Sequence, residues 1–396
     1  MNLSRAIGGA ALALLFGLPA LRVRAAESAY FTEFSADRIV LPTTVEPLGY
    51  LDVDVRINGA GPFRLQVDTG SSTLLLPGRV AAAAGLKPRE ERVPFSTAGG
   101  GHDLARVARV DRLESAGFAV GGFDAAILAV DEVPNWRDLL HIDGILGMAA
   151  FQRAVLEMDF PLQRVLVARP GTQPYPVSSS MAFNPSGLRP VVALMIAGQP
   201  QAALIDTGSN VPLIVRDLLQ FPLLNPAVGD DGLTEYGILP GQARRGFSGQ
   251  LAGEVRFGPI ALENPPLRDQ AYDEPANIGA TALQQWDVVF DSTQRRVYFL
   301  GKDKKRVWEP VPVPDRTYRP GFCGVPGSGG VRVLQVDAGG AFARAGVRVG
   351  DILLAIDGQP AAQALSTRGW GSYRRRTLHL ARGGAEFDAV VAFAPQ

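Results

Sequence analysis

The chain repeats one acidic turn, first as Val67-Asp68-Thr69-Gly70-Ser71-Ser72 and again as Ile205-Asp206-Thr207-Gly208-Ser209-Asn210, at a spacing of 138 residues (206 − 68). Each copy follows a short apolar run of the kind that forms a β-strand and leads into a second apolar run. Because Asp and Gly are common in turns, a single Asp-Thr-Gly tripeptide would carry little information. Two copies in matching surroundings predict a duplicated half-domain that brings two carboxylates together about a pseudo-twofold axis.

The repeat continues well beyond the turns. Three residues recur at a constant spacing of 132, with Gly147, Asp159 and Arg164 corresponding to Gly279, Asp291 and Arg296. We expect the two glycines to allow close backbone packing near the acidic turns, and the two aspartates to cap a turn before the last strand of each half. The change in spacing from 138 to 132 places a difference of six residues in the middle hairpins of the halves.

Composition and charge exclude several classes of function. At 396 residues, 46% of them hydrophobic and 20% charged, the chain has an ordinary globular composition with room for two or three domains. The 39 Lys and Arg balance the 39 Asp and Glu, and the one basic run is short, from Lys302 to Arg306. Neither nucleic acid nor an anionic membrane surface is therefore an expected partner.

Other catalytic chemistries have little support in the sequence. The histidines, His102, His141 and His379, lie far apart, and neither a zinc-binding His-Glu-x-x-His run nor a Gly-x-Ser-x-Gly elbow occurs. The single cysteine, Cys323, excludes an intramolecular disulfide. We expect no metal and no other cofactor.

The N-terminus has the pattern of a secretory signal peptide over residues 1–25. Arg5 precedes an apolar stretch, Ala6 to Leu21. Val23-Arg24-Ala25 then fits the small-x-small pattern of a signal-peptide cleavage site. This pattern predicts a secreted or periplasmic protein. An uncleaved membrane anchor is the alternative, because two arginines follow the apolar stretch closely.

Short strand-like runs separated by Gly, Pro and Asn indicate an all-β chain with several domains. The first half covers residues 26–168 and the second covers 190–301, with a connector rich in Pro and Ser between them. A charged and Pro-rich linker, 302–316, leads to a C-terminal module, 317–396.

Two adjacent carboxyl groups can act on a peptide bond as base and acid together. At a separation of about 3 Å they do not both ionise, so one keeps a proton while the other stays charged. The charged group removes a proton from water, and the protonated group gives its proton to the carbonyl oxygen. Gly70 and Gly208 let the backbone approach, so that amide donors stabilise the charged form.

The turns resemble the active-site loops of the two-lobed pepsin-like aspartic proteases, and also the single loop of retropepsins doubled into one chain. Asp143-Gly144-Ile145-Leu146-Gly147 matches the hydrophobic-hydrophobic-glycine element of the same family. The resemblance implies a duplicated two-lobed β-barrel fold with Asp68 and Asp206 as the catalytic pair. It also implies that Thr69 and Thr207 hydrogen-bond across to the opposite loop, and that Ser71 and Ser209 bond the outer carboxylate oxygens.

The chain departs from pepsins in the hairpin that covers the substrate. The first half lacks a Tyr-Gly pair there and has Thr97-Ala98-Gly99-Gly100-Gly101, a glycine-rich tip of the kind that retropepsins use. Thr97, Ala98, Gly99 and Gly100 are therefore flap candidates, with a surface turn as the alternative. Tyr236-Gly237 in the second half is either a flap element or a packed aromatic.

The C-terminal module resembles a bacterial PDZ domain, most specifically in the run "AGVRVGDILLAIDGQPA", residues 345–361. The resemblance implies a small β-sandwich or barrel with a helix, and a groove that adds an extended peptide to a sheet edge. The loop that holds the peptide carboxylate is expected near Tyr318 to Gly324.

The sequence thus predicts an aspartic endopeptidase that is active as a single chain, acts on polypeptides and binds C-terminal peptides at its PDZ-like module. The alternative is a non-catalytic scaffold, in which an inactive protease fold presents the peptide-binding module.

Overall fold

The computed structural model describes fourteen stretches of the chain, and the predicted signal peptide lies outside them. They are residues 29–46, 49–96, 102–131, 133, 136, 140–184, 187–224, 228–229, 247–269, 275–309, 322–327, 329–336, 340–366 and 375–392. No helix in these stretches combines the length and apolar character needed to cross a membrane.

The described residues are mostly strands, which confirms the all-β prediction. The first half contains β1 (Phe31–Phe34), β2 (Arg38–Val40), β3 (Thr43–Val45), β4 (Leu51–Ile57), β5 (Ala60–Val67), β6 (Leu75–Leu76), β7 (Arg92–Ser96), β8 (His102–Val110), β9 (Leu113–Ser115), β10 (Phe118–Gly121), β11 (Phe123–Ile127), β12 (Gly144–Leu146), β13 (Val155–Asp159) and β14 (Arg164–Ala168). The second half contains β15 (Ser180–Ala182), β16 (Val191–Ile196), β17 (Gln199–Asp206), β18 (Leu213–Val215), β19 (Val228–Gly229), β20 (Phe247–Gln250), β21 (Glu254–Phe257), β22 (Ile260–Glu263), β23 (Pro266–Asp269), β24 (Ala276–Gly279), β25 (Asp287–Asp291), β26 (Arg296–Leu300) and β27 (Lys305–Val307). Two short helices, α1 (Gly78–Ala83) and α2 (Ala280–Leu283), accompany them.

The hairpins that lead into the acidic turns have matching two-residue tips. Asn58 and Gly59 join β4 to β5 with φ values of 50° and 83°, and Ala197 and Gly198 join β16 to β17 with 48° and 81°. Positive φ at both central residues gives the turn a twist that matches the twist of paired strands. Each tip therefore sets the register of the strand that ends at an acidic turn.

The sheets of the two halves share the order of nine strands, and they differ at β1 and β27 and in the extra strand β3, which pairs with β4. Across the first sheet the order is β1-β10-β9-β4-β5-β12-β6-β11-β8-β7, and across the second it is β27-β22-β21-β16-β17-β24-β18-β23-β20-β19. The parallel pairings beside the acidic turns correspond, because β5 pairs with β12 as β17 pairs with β24, and β6 pairs with β11 as β18 pairs with β23. At the far edge β22 pairs in parallel with β27, whereas β10 and β1 are antiparallel. The duplication that the turns predict thus extends through both sheets.

A third sheet of six strands, ordered β15-β26-β25-β13-β14-β2, joins the halves. At its centre β13 and β25 are antiparallel, and Glu157 lies opposite Val289. Val289 is also the counterpart of Glu157 at the repeat spacing of 132. The pseudo-twofold axis of the duplicated fold therefore passes through this residue pair.

The two halves also share one apolar core. Among the described residues, a single buried cluster runs from Ile39 in the first half to Phe299 in the second and includes the side chains behind both acidic turns. Such a shared core fixes the halves relative to each other, because separating them would expose apolar surface.

Two carboxyl groups in these sheets, the buried Asp52 and the half-buried Asp287, have raised pKa values. Burial raises the pKa of Asp52 in β4 to about 8, together with repulsion from Glu46. In the joining sheet, burial and repulsion from Glu157 and Asp159 raise the pKa of Asp287 to about 8. Folding therefore takes up protons at both places.

We expect the fold to be more stable in mild acid than in mild alkali. An unfolded carboxyl has a pKa of about 4, so the stability that Asp52 and Asp287 contribute is complete below about pH 4 and is lost as the pH rises through about 8. Between these values the midpoint of thermal unfolding should fall by roughly 5 °C or more. The double variant Asp52→Asn, Asp287→Asn should show a smaller fall in a calorimetric pH series, because its amides do not titrate. An equally steep fall in wild type and variant would contradict this assignment.

The C-terminal module forms a sheet of its own with a separate core. Its elements are β28 (Phe322–Gly327), β29 (Gly330–Val336), α3 (Ala341–Arg344), β30 (Ile352–Ile356), β31 (Gln359–Pro360), α4 (Ala361–Ser366), β32 (Arg375–Arg382) and β33 (Ala385–Ala392). The strand order is β28-β29-β30-β32-β33, with β31 paired to β30, so β28 is an edge strand. Its buried residues, from Val331 to Val391, form a cluster distinct from the core of the halves.

An ion pair between the buried Asp351 and the partly exposed Arg382 ties this module together. Asp351 is 1% exposed and accepts hydrogen bonds from Arg382 Nε at 2.6 Å, from Arg382 Nη2 at 2.7 Å and from the Arg348 amide at 2.8 Å. Burial alone would raise the pKa of Asp351, but these donors hold it below its ordinary value. The Gly-Asp step in the PDZ-like run thus has a structural role.

Candidate active site

The structure brings Asp68 and Asp206 together at the ends of the equivalent strands β5 and β17. A Cβ atom placed on Gly70 would lie 2.5 Å from Asp206 Oδ1, and one placed on Gly208 would lie 2.5 Å from Asp68 Oδ1. Each carboxylate therefore packs directly against the backbone of the opposite turn. Neither glycine has a positive φ, so these positions require space and not unusual backbone freedom.

Thr69 and Thr207 hold the two turns together through buried, reciprocal hydrogen bonds. The Thr69 amide donates to Thr207 Oγ1 at 3.1 Å, and the Thr207 amide donates to Thr69 Oγ1 at 3.1 Å. The two hydroxyl groups donate in turn to the backbone of the opposite strand, Thr69 to the Ile205 carbonyl at 2.6 Å and Thr207 to the Val67 carbonyl at 2.8 Å. All four groups are satisfied inside a dry interface, where an unpaired one would cost about 1–3 kcal/mol.

Backbone amides of the turns bind the carboxylates. Asp68 Oδ1 accepts from the Gly70 amide at 2.7 Å and from the Ser71 amide at 3.2 Å, and Asp206 Oδ1 accepts from the Gly208 amide at 2.9 Å. These bonds fix the orientation of each carboxyl plane and favour its ionised form.

The two carboxyl groups do not ionise independently. Burial raises the pKa of Asp68 well above its ordinary value, and the charge and hydrogen bonding of Asp206 raise it further, against the opposing effect of the Gly70 and Ser71 amides. Asp68 therefore holds its proton to a higher pH than an isolated aspartate does.

The serine hydroxyl groups do not bond the carboxylates, so that part of the prediction is wrong. The Ser71 hydroxyl donates to the Thr73 carbonyl at 3.0 Å, and a hydroxyl has one hydrogen to give. Ser209 Oγ instead accepts from the Val211 amide at 3.4 Å. Both side chains stabilise the exit of a turn. The backbone amide of Ser71 donates to the Asp68 carboxylate, whereas the amide of Ser209 donates to the backbone carbonyl of Asp206 at 3.3 Å.

A residue without a predicted role, Asn277 in β24, contacts the site. Its Nδ2 donates a hydrogen bond to Asp206 Oδ2, an oxygen that the turn amides leave free. The signal in the sequence is that a polar residue interrupts the apolar stretch Ala276 to Gly279. It becomes visible on alignment of the repeats, because the counterpart of Asn277 at the spacing of 132 is Ile145.

The other repeated residues support the turns. A Cβ atom on Gly147 would lie 2.6 Å from the Ser71 carbonyl oxygen, and one on Gly279 would lie 2.6 Å from the Ser209 carbonyl oxygen, so both positions exclude a side chain. Asp159 accepts from the Leu162 amide at 3.1 Å and Asp291 from the Thr293 amide at 2.9 Å, each within the turn that precedes the last strand of its half.

The flap candidates Thr97, Ala98, Gly99 and Gly100 lie outside the described residues, as do Tyr236 and Gly237. The strands β7 and β8 that flank the first tip form an antiparallel hairpin at the edge of the first sheet. The assignment of these residues to a flap stays a prediction.

Comparison with known families identifies two of the domains. Residues 53–150, which include the first acidic turn and Gly147, match the aspartyl protease family model. Residues 332–368 match the PDZ domain model. The chain contains an aspartyl protease domain and a PDZ domain. The protease match ends within the first half, and it is the shared strand order that relates the second half to it. A comparison with curated proteins finds no significant match.

The arrangement in the protease domain has the parts needed for acid–base chemistry on water. Each carboxyl group packs against the glycine of the opposite turn, the pKa of Asp68 is raised, and backbone and side-chain donors fix the carboxyl planes. In the PDZ domain, β28 is an edge strand of the described sheet, and an edge strand is the element to which an extended peptide adds. The domain bounds derived from composition stay predictions.

Proposed function

We propose that the chain is an aspartic endopeptidase that hydrolyses peptide bonds with Asp68 and Asp206. The observation that carries this proposal is the face-to-face packing of the two carboxyl groups, each against the glycine of the opposite turn. The raised pKa of Asp68 supports it, because a carboxyl that retains its proton can act as a general acid. Both groups come from one polypeptide, so the active unit is a single chain.

The hydrolysis needs no covalent intermediate. One carboxylate takes a proton from a water molecule as the water oxygen bonds to the peptide carbon, and the other carboxyl gives its proton to the carbonyl oxygen. The resulting diol collapses when the C–N bond breaks and the nitrogen takes up a proton. The threonine network matters for this sequence of steps, because it fixes the two carboxyl groups at a separation that allows both transfers.

The PDZ domain has a supporting role in this proposal. Its edge strand β28 binds the C-terminal segment of a polypeptide, and tethering raises the local concentration of that polypeptide at the protease domain. The competing hypothesis is a scaffold in which peptide binding at β28 is the whole function. The two differ in whether the paired aspartates recognise a transition state.

A transition-state mimic separates the two hypotheses. We expect a peptide with a hydroxyl-bearing carbon in place of the cleaved carbonyl to bind the full chain at least about 100-fold more tightly than the same peptide with a methylene there. Binding is measured by calorimetry, and cleavage of an unfolded protein is followed by mass spectrometry from about pH 3 to pH 8. Equal affinity for the two peptides and no cleavage, together with tighter binding of free than of amidated C-terminal peptides, would favour the scaffold.

A further inference from the structure

We propose that Asn277 keeps Asp206 ionised and so places the shared proton on Asp68, which makes Asp206 the group that deprotonates the attacking water. The inference rests on the proposed function for its chemistry. It goes beyond that proposal because the repeat alone treats the two aspartates as equivalent. Asn277 acts through Asp206 and is therefore a positioning residue.

The two halves differ at this position. β12 and β24 occupy the same place beside their acidic turns, and each is a parallel neighbour of the strand that carries the aspartate. The N-terminal half has the apolar Ile145 where the C-terminal half has Asn277. Asp206 thus has a neutral hydrogen-bond donor beside it, and Asp68 has none from the equivalent strand.

The hydrogen-bond donors to each carboxylate oxygen of Asp68 and Asp206 indicate which oxygen can carry the shared proton. Asp206 has a donor on each oxygen, the Gly208 amide on Oδ1 and Asn277 Nδ2 on Oδ2. Asp68 accepts both of its amide bonds on Oδ1, so among the described residues no amide N–H group donates to its Oδ2. A proton on Asp206 would point at an N–H group or displace it, whereas a proton on Asp68 Oδ2 meets no such conflict.

Asn277 lowers the stability of the fold, which is consistent with a role in positioning the proton. Its own Oδ1 is buried and has no hydrogen-bond partner within the described part of the chain. A buried, unpaired amide oxygen reduces stability, and the isoleucine of the other half shows that an apolar residue suits the position. Turning the amide over would bring that oxygen against Asp206 Oδ2 and would require Asp206 to hold the proton. The orientation of the amide and the position of the proton are therefore linked.

The assignment fixes which aspartate takes a proton and which gives one in the attack on the peptide bond, and both transfers reverse when the diol collapses. Asp206 takes a proton from water as the new C–O bond forms, and Asp68 gives its proton to the carbonyl oxygen. When the diol collapses, the C–N bond breaks and the nitrogen takes the proton held by Asp206, while a diol hydroxyl returns a proton to Asp68. Both groups end the cycle as they began, with Asp68 protonated and Asp206 charged.

The first test reads the carboxyl groups directly and does not depend on peptidase activity. In the full chain with ¹³C-labelled aspartate side chains, the signals of the pair are assigned by comparison with Asp68→Asn and Asp206→Asn. Between the two titration steps of the pair, we expect the Asp206 signal at the carboxylate position and the Asp68 signal at the protonated position. The reverse pattern would overturn the proposal even if the enzyme is active. Conversely, an inactive wild type that shows the expected pattern would contradict only the proposed function.

The second test uses Asn277→Leu, which keeps the approximate shape of the side chain and removes the donor. The acid limb of the kcat/KM profile should move up by roughly one pH unit, because Asp206 loses a bond to its charged form. We expect kcat to fall about 10-fold with little change in KM. Ile214→Val, on the strand that pairs with β24 at Asn277, is the matched control for packing and should leave the pH profile in place. An unshifted acid limb in a folded Asn277→Leu variant would reduce Asn277 to a structural residue and overturn the proposal.

Discussion

Replacing Asp206 with asparagine should lower kcat/KM for peptide cleavage by on the order of 10³-fold or more. The amide fits the same space but cannot take a proton from water, so attack on the peptide carbon loses its base. Asp68→Asn should have a comparable effect for the opposite reason, because its amide cannot give a proton to the carbonyl oxygen. Both variants are measured with one peptide substrate at the pH optimum of the wild type.

The comparison needs a check that the fold survives. Asn at either position still accepts the turn amides, so circular dichroism and the unfolding midpoint should stay close to those of wild type. Asp37→Asn is a suitable control, since this exposed aspartate pairs with Arg169 at 3.2 Å on the surface. If Asp206→Asn and Asp37→Asn cleave at similar rates, Asp206 is not a catalytic residue.

A single methyl group at Gly70 or Gly208 should also disable the enzyme. The added carbon would lie 2.5 Å from the carboxylate of the opposite turn, so Gly208→Ala must displace Asp68 or push the turns apart. A displacement near 1 Å costs about 100-fold in rate, and overpacking costs about 1–3 kcal/mol of stability. We therefore expect at least a 100-fold loss of kcat/KM and a lower unfolding midpoint.

Gly249→Ala in β20 is the matched control for this change. Its new carbon would meet Leu223 at 3.4 Å, an ordinary contact, so activity and stability should stay near those of wild type. The alanine variants at Gly70 and Gly208 test only the need for space beside the opposite carboxylate, because neither position has a positive φ that alanine would disfavour. If Gly70→Ala and Gly208→Ala keep full activity, the close approach of each carboxylate to the opposite turn is not required for catalysis.

The features that could be predicted from the sequence are those fixed by backbone geometry. Gly147 and Gly279 recur because a side chain at either position would collide with the carbonyl of an acidic turn. Asp159 and Asp291 recur because each binds amides of a tight turn. Such backbone constraints restrict which residue each position accepts. The same residues are therefore kept in both halves after duplication, and an alignment of the two halves reveals them.

The features that were not predicted depend on which of several possible hydrogen-bond partners a side chain contacts. The Ser71 hydroxyl has both a carboxylate and a carbonyl nearby in the chain, and nothing in the sequence says that it donates to Thr73. Asn277 escaped for a different reason, because an asparagine in a strand is informative only beside its counterpart, Ile145. The strand order of the sheets likewise depends on contacts between segments distant in sequence.

The pairing of Glu157 with Val289 bears on how the two halves came to share one polypeptide. In a homodimer of half-length chains, the residue on the dyad would meet its own copy, so an unaltered N-terminal half would set one buried glutamate against another. The valine removes that repulsion, and Arg38 contacts the remaining glutamate through Nε at 3.2 Å. The strand β13 of the first half is thus complementary to β25 of the second half and not to a second copy of itself. A separate N-terminal half would therefore dimerise weakly through this sheet.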